Sequence, residues 1–186
     1  MRSIIKITLI IVIATLSHWQ SYGQARSSIG LAYGINKPLT TDFKTGSGFN
    51  LQSSIRVSNK VAITPSLGYE KLNANFRNVY DSYGYRVYSV ENIGLVYLGV
   101  GAKYYFKERF FARAGAMLYL GGGNEDLVTG GVGGALAAGY ELMLDRHSDL
   151  EFTLRTDLIN LRSSETKITP VIGLKVAYNF NFRRLL

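Results

Sequence analysis

Ser27-Ser28-Ile29-Gly30-Leu31-Ala32-Tyr33-Gly34-Ile35-Asn36 alternates bulky apolar residues with small or polar ones without a break. In an extended chain Ile29, Leu31, Tyr33 and Ile35 share one face, and Ser28, Gly30, Ala32, Gly34 and Asn36 share the other. Successive Cβ atoms of a strand point to opposite sides, so a period of two held over this length sorts residues between two environments.

The same pattern recurs about eight times, placing strands at 27–36, 48–58, 61–73, 91–106, 110–120, 131–144, 150–161 and 169–182. The apolar rows continue through Phe49, Leu51 and Ile55, then Ile63, Leu67 and Tyr69, then Val96, Leu98, Val100, Ala102 and Tyr104. Phe110 to Leu120, Val132 to Leu144, Leu150 to Leu158 and Ile172 to Phe182 supply four more rows. Alternation breaks over 91–98, where the register could slip by one residue. The opposite face collects Arg56, Lys103, Arg113, Arg155 and Lys175 against Glu70, Glu141, Glu151 and Asp157. Nearly balanced charges on the face opposite an apolar one are expected to pair inside a closed sheet, with Gly68, Gly99, Gly101, Gly115, Gly133 and Gly139 leaving room for the long side chains. The implied fold is all-β, an eight-stranded antiparallel transmembrane β-barrel with a plugged lumen.

Connections alternate in length. Ser58-Asn59-Lys60, Lys107-Glu108-Arg109 and Asp145 to Asp149 are tight turns, while 37–47, 74–90, 121–130 and 162–168 are longer. Membrane barrels have short periplasmic turns and longer extracellular loops, which puts both strand termini on the periplasmic side. Tyr104, Phe106, Phe110, Tyr178, Phe180 and Phe182 gather at that end, where rings mark a lipid–water interface.

The first 25 residues read as a signal peptide. Arg2 and Lys6 form a basic start, Ile7 to Leu16 an apolar run, and cleavage after Gly23 or after Ala25 satisfies the small-residue rule. The apolar run is shorter than the ~20 residues a spanning helix needs. Residues 26–186 then form one barrel domain.

The chain has no cysteine, so disulfides, thiolate metal sites and a lipidated cysteine are excluded. The net charge of +8 gathers near the turn end, at Lys60, Lys107, Arg109, Arg146, Arg183 and Arg184. Phospholipid phosphates at a membrane rim account for it without nucleic acid. No catalytic, cofactor or metal residues are expected. His18 lies in the leader and His147 in a turn remote from any hydroxyl it could activate. The runs Gly121-Gly122-Gly123 and Gly130-Gly131-Val132-Gly133-Gly134 lack the Lys-Ser/Thr and the helix start of a phosphate loop.

The most distinctive connection is 74–90, in which Tyr80, Tyr83, Tyr85 and Tyr88 are interleaved with Arg77 and Arg86. Asp81-Ser82-Tyr83-Gly84 has turn chemistry, so the flanks can extend as a hairpin beyond the membrane. Tyrosine and arginine are favoured recognition residues, which makes Arg77, Tyr80, Tyr83, Tyr85, Arg86 and Tyr88 the candidate surface site.

Leader, strand count, connection asymmetry and the aromatic last strand Val176-Ala177-Tyr178-Asn179-Phe180-Asn181-Phe182 together resemble the outer-membrane β-barrel domain family, the OmpX/OmpA-like small porin-like barrels of Gram-negative bacteria. The resemblance covers nearly the whole mature chain. It implies an integral protein of the outer membrane, non-enzymatic, with a structural, adhesive or surface-interaction role. The resemblance implies the outer-membrane assembly machinery as a partner; the basic rim adds outer-membrane lipids, and the 74–90 connection adds an unidentified extracellular protein or glycan as a candidate. Two other readings stand beside it. A secreted, lipocalin-like barrel would turn the apolar rows inward around a small ligand, and a lipid-modifying outer-membrane enzyme would carry its site near the rim.

Overall fold

The structure, a computed structural model, describes residues 27–75, 78–80, 83–84, 86–89, 92–107, 109–122, 128–160 and 168–182. The expected signal peptide, Arg77 and Tyr85 lie outside the described residues.

Strands β1 (Ser27–Pro38), β2 (Phe43–Arg56), β3 (Val61–Ala74), β4 (Asn78–Tyr80), β5 (Arg86–Ser89), β6 (Ile93–Tyr105), β7 (Phe110–Gly122), β8 (Val128–Met143), β9 (Ser148–Asn160) and β10 (Ile168–Phe182) account for the fold. Eight of them close a barrel in the order β1-β10-β9-β8-β7-β6-β3-β2, and β4 pairs only with β5. Every barrel pair is antiparallel, and the closing pair runs from Ser27 opposite Phe182 to Pro38 opposite Val171. Closure leaves no unpaired edge, which is the condition for a sheet to sit in hydrocarbon. Each barrel strand has 12 to 16 residues, more than the ~9–11 that a tilted spanning strand requires.

The apolar rows face outward. Leu31, Tyr33, Phe49, Leu67, Leu98, Val132, Leu154 and Leu174 are all exposed, Val132 at 74%. Lys103 and Glu151, at 1% each, are among the most buried side chains. That arrangement excludes the lipocalin-like reading, which needs the opposite orientation.

Several sequence-based boundaries shift. The connection expected at 37–47 shrinks to residues 39–42, because β1 and β2 both run on and a bulge between Lys44 and Ser47 absorbs the irregular stretch. Asp149, expected in a turn, is a buried residue of β9. Over 93–98, the described strand residues of the stretch whose register was open, the register does not slip. Ile93, Leu95 and Tyr97 point inward and Val96 and Leu98 outward, so the alternation was hidden by apolar residues on both faces.

Pro65 sits in the middle of β3, a position that normally argues against a strand because proline gives no ladder donor. The β2–β3 ladder pairs Gln52 with Ser66 and Ile55 with Ile63, with no pairing recorded at Ser53 and Ser54 in between. The hydroxyls of Ser54 and Thr64, beside that gap, have no hydrogen-bond partner. Two glycines are required by close approach. A Cβ on Gly68 would stand 2.5 Å from Cζ of Tyr97, and one on Gly139 would stand 2.5 Å from Cζ of Phe111.

Candidate functional site

The lumen is layered. At the turn end, Lys103 donates to Glu141 at 3.0 Å and to Glu151 at 2.7 Å. Glu141 and Glu151 are direct partners across β8 and β9, so a single ammonium separates two like charges. Tyr105 donates to Glu141 at 2.7 Å, Thr153 to Glu151 at 3.0 Å, and Arg56 lies 3.8 Å from Glu141. Below them Asp149 accepts from the amides of Asn179 and Asn181, at 2.8 and 2.6 Å. The rings of Tyr105 and Phe111 pack with Ala62, and Lys103 Nζ stands 4.1 Å from the centre of the Phe111 ring.

Towards mid-barrel the pairing continues around Tyr97. Arg155 donates to Asp157 at 2.6 Å and to the Tyr97 hydroxyl at 3.0 Å. Lys175 donates to the same hydroxyl at 3.3 Å and pairs with Glu70, which also accepts from the Asn36 amide. Asn50 joins through Lys175 at 3.4 Å. Such groups are tolerated in a dry interior because each desolvated charge meets an opposite charge and further hydrogen bonds.

The hairpin end is different. Phe43, Leu72, Ile93, Leu95, Tyr97, Met117, Tyr119, Ile159 and Val171 form one buried apolar cluster across the barrel. All lie towards the end of the barrel that carries the β4–β5 connection. The interior expected from the sequence, a plug of ion pairs and hydrogen bonds, thus carries an apolar layer as well. The inward residues of the strand ends were masked because their outward neighbours are apolar too.

All nine charged positions expected in the lumen point inward. Five ion pairs join Arg56, Lys103, Glu141, Glu151, Arg155, Asp157, Lys175 and Glu70. Arg113 alone of the nine has no carboxylate at ion-pair distance among the described residues. Tyr97, Tyr105, Asn36, Asn50, Thr153, Asp149 and Asn179 belong to the network and were missed. Counting in steps of two from Lys103 or Glu151 would have found Tyr97, Tyr105, Thr153 and Asp149.

Of the candidate surface residues, Tyr83 is 85% exposed at the tip of the β4–β5 hairpin, beside Gly84 with φ of +82°. Tyr80 pairs in register with Arg86, and Val79 with Tyr88, so β4 and β5 bring these positions side by side. His147 lies in the exposed turn 144–147, at the opposite end of the barrel. There Asp145 accepts from the backbone N–H groups of His147 and Ser148 at 2.6 and 2.8 Å, and from the Ser148 hydroxyl at 2.8 Å. These bonds hold its carboxyl below the usual aspartate range, the His147 backbone donor first among them.

The exposed apolar rows encircle the barrel, and at the turn end rings join them. Phe110 packs on Tyr140 at 4.8 Å and on Phe106 at 6.2 Å. Arg109 donates to the Tyr140 hydroxyl at 3.4 Å. This aromatic and basic rim is the arrangement of a membrane interface.

No family model matches the chain, and no curated protein matches it in sequence. Solved structures do match its shape. Neisserial surface protein A superposes with a TM-score of 0.57 at 12% identity, over 85% of this chain and 97% of that one. The attachment invasion locus protein Ail of Yersinia pestis, in complex with the heparin analogue sucrose octasulfate, gives 0.51 at 15% identity, over 87% and 99%. The outer membrane protein AlkL in lipid bilayers gives 0.51 at 14% identity, over 89% and 94%. The chain thus has the fold of the small eight-stranded outer-membrane β-barrels, and the apolar belt that rings it is the surface of a barrel that sits in lipid.

Proposed function

We propose that this is a non-enzymatic outer-membrane protein with a structural, adhesive or surface-interaction role, whose lumen is closed to solutes and whose recognition surface is the β4–β5 hairpin. One observation carries the reading: buried side chains line the lumen from the Tyr105–Phe111 pair to the Phe43–Tyr119 layer, while the segment that is tyrosine-rich in sequence forms a separate two-stranded hairpin in the connection from β3 to β6. Two cavities in the lumen offer about 20 Å³ each, room for a water and not for a permeating solute. Tyrosines and arginines on a two-stranded scaffold provide large amphipathic contacts at modest entropic cost.

On this reading residues 1–25 are an export signal, the assembly machinery inserts the barrel, and the hairpin faces outside the cell. Outer-membrane lipids are the standing partner. The recognition partner is an extracellular protein or glycan. Deleting Asn78 to Arg86 should leave barrel assembly and heat-modifiability intact while abolishing binding to host-cell matrix or immobilised heparin. Purified protein in a planar bilayer should show no conductance steps. Binding that survives the deletion but is lost in Lys103→Ala, or steady ion currents, would overturn the reading.

A further inference from the structure

We propose that the lumen holds one small monovalent anion of the chloride class, bound between the Arg113 guanidinium and the hydroxyls of Thr64 and Ser66. These three side chains line one cavity at mid-barrel, together with Arg155, Gly99, Gly101 and Gly115. Its volume of about 20 Å³ suits a single water-sized particle.

Three features of that cavity point the same way. Arg113 is permanently charged, and among the described residues it has neither an ion pair nor a hydrogen bond. Every other lumen cation in the charge network has a carboxylate at ion-pair distance. Glu151 and Asp157 attract Arg113 only from beyond contact, and both are occupied, Glu151 by Lys103 and Thr153, Asp157 by Arg155. Thr64, 3% exposed, carries a hydroxyl with no hydrogen-bond partner.

Charge selects an anion over water. Lys103 stands opposite Arg113 in the β6–β7 register, and the carboxylates nearest the wall are already bound, Glu151 and Glu141 by Lys103 and Asp157 by Arg155, so the Arg113 guanidinium is the one cation there without a counter-charge in contact among the described residues. A guanidinium offers only donors, and a hydroxyl can turn its proton to the same point. An acceptor with a full negative charge satisfies that set, while a water brings no counter-charge. The glycines make the space: a Cβ on Gly99 would come 3.0 Å from the Ser66 hydroxyl, and one on Gly101 3.2 Å from that of Thr64. Sulfate and carboxylates are too large for the volume.

The test is thermal unfolding of the full barrel in detergent at matched ionic strength in chloride, bromide, gluconate and sulfate. The melting temperature should be higher in the two halides and rise with the logarithm of halide concentration, as binding linkage requires. Arg113→Gln and Thr64→Val should each lose that dependence, the second at nearly unchanged volume in case the first fails to fold. Crystals grown in bromide should show one anomalous peak beside Arg113. Equal melting in halide and gluconate, a halide dependence kept in full by either variant, or a water without anomalous signal at this position would overturn the proposal.

Discussion

The two halves of the lumen solve the same packing problem with different chemistry. Towards the hairpin, Leu72, Ile93, Leu95, Met117 and Ile159 fill the bore by shape, and each contributes in proportion to the area it hides. Towards the turns, Lys103, Glu141, Glu151, Arg155 and Asp157 fill it by pairing, and each charge is tolerated only because its partner is present. The first kind of interior should lose stability in graded steps. The second should fail at once when a partner is removed.

The largest effect is therefore expected at Lys103. Lys103→Met leaves Glu141 and Glu151 facing each other without the ammonium between them, and breaking a buried pair in this way costs about 3–5 kcal/mol. Denaturant titration in detergent micelles measures it. Adding Glu151→Gln to the same chain should recover much of the loss, since the carboxylate that remains is the part-exposed Glu141, which keeps Arg56 at 3.8 Å and the Tyr105 hydroxyl as partners. A single variant as stable as the wild type would mean that water screens this layer and that the two halves do not differ in kind.

The apolar half should respond by degrees. Leu95→Ala opens a cavity in the Phe43–Tyr119 layer and is expected to cost about 2–4 kcal/mol, whereas Ile93→Val should cost about 1 kcal/mol. The same titration checks both. If the two variants lose equal amounts, the layer behaves as a cooperative lock and the contrast with the charged half is the wrong one.

How much of this was legible follows the same division. The barrel, its strand number and the inward face of the charges could be read because lipid and lumen impose opposite preferences on alternate residues, as in Ile29 to Asn36. The apolar layer could not, because Ile93, Leu95 and Tyr97 alternate with Val96 and Leu98, and a two-sided apolar run carries no phase. Pro65 was invisible as an interruption, since alternation continues across it while its ladder breaks on one side. Asp149 was lost to the turn because a short polar run, Asp145 to Asp149, does not mark where pairing with β10 begins; the register pairs Asp149 with Asn179. For the candidate surface residues the sequence supplied residue types and a turn, and the structure adds the register that pairs position 80 with position 86, Tyr80 with Arg86.

Smaller still is the effect expected above the apolar layer. The hairpin β4–β5 makes no pairing with the barrel strands, so removing residues 78–86 should change barrel stability by under about 1 kcal/mol, the scale of shortening a connecting loop. Melting of the deletion variant beside the wild type measures it. A loss comparable to that of Leu95→Ala would show that the hairpin folds down on the layer and shares its packing.

The smallest expected effect lies at the other extremity, in the turn that joins β8 to β9. Asp145 is exposed and lies outside the membrane-spanning strands, and its carboxylate caps two backbone N–H groups and the Ser148 hydroxyl. These bonds are made to the charged form and hold its folded-state pKa below the usual value. A group depressed on folding adds stability above its unfolded pKa and gives it up as pH falls through the folded value. Wild type should accordingly be slightly more stable than Asp145→Asn at neutral pH, because the amide retains the turn geometry but not the charge. The gap should begin to close as pH drops below about 4, the ordinary aspartate range, and vanish in stronger acid. Parallel melting curves of the two proteins from neutral to acid pH isolate this one carboxyl, because every other acidic group is common to both. A gap that stays constant with pH would assign the turn's stability to geometry alone, leaving charge decisive only where the lumen buries it.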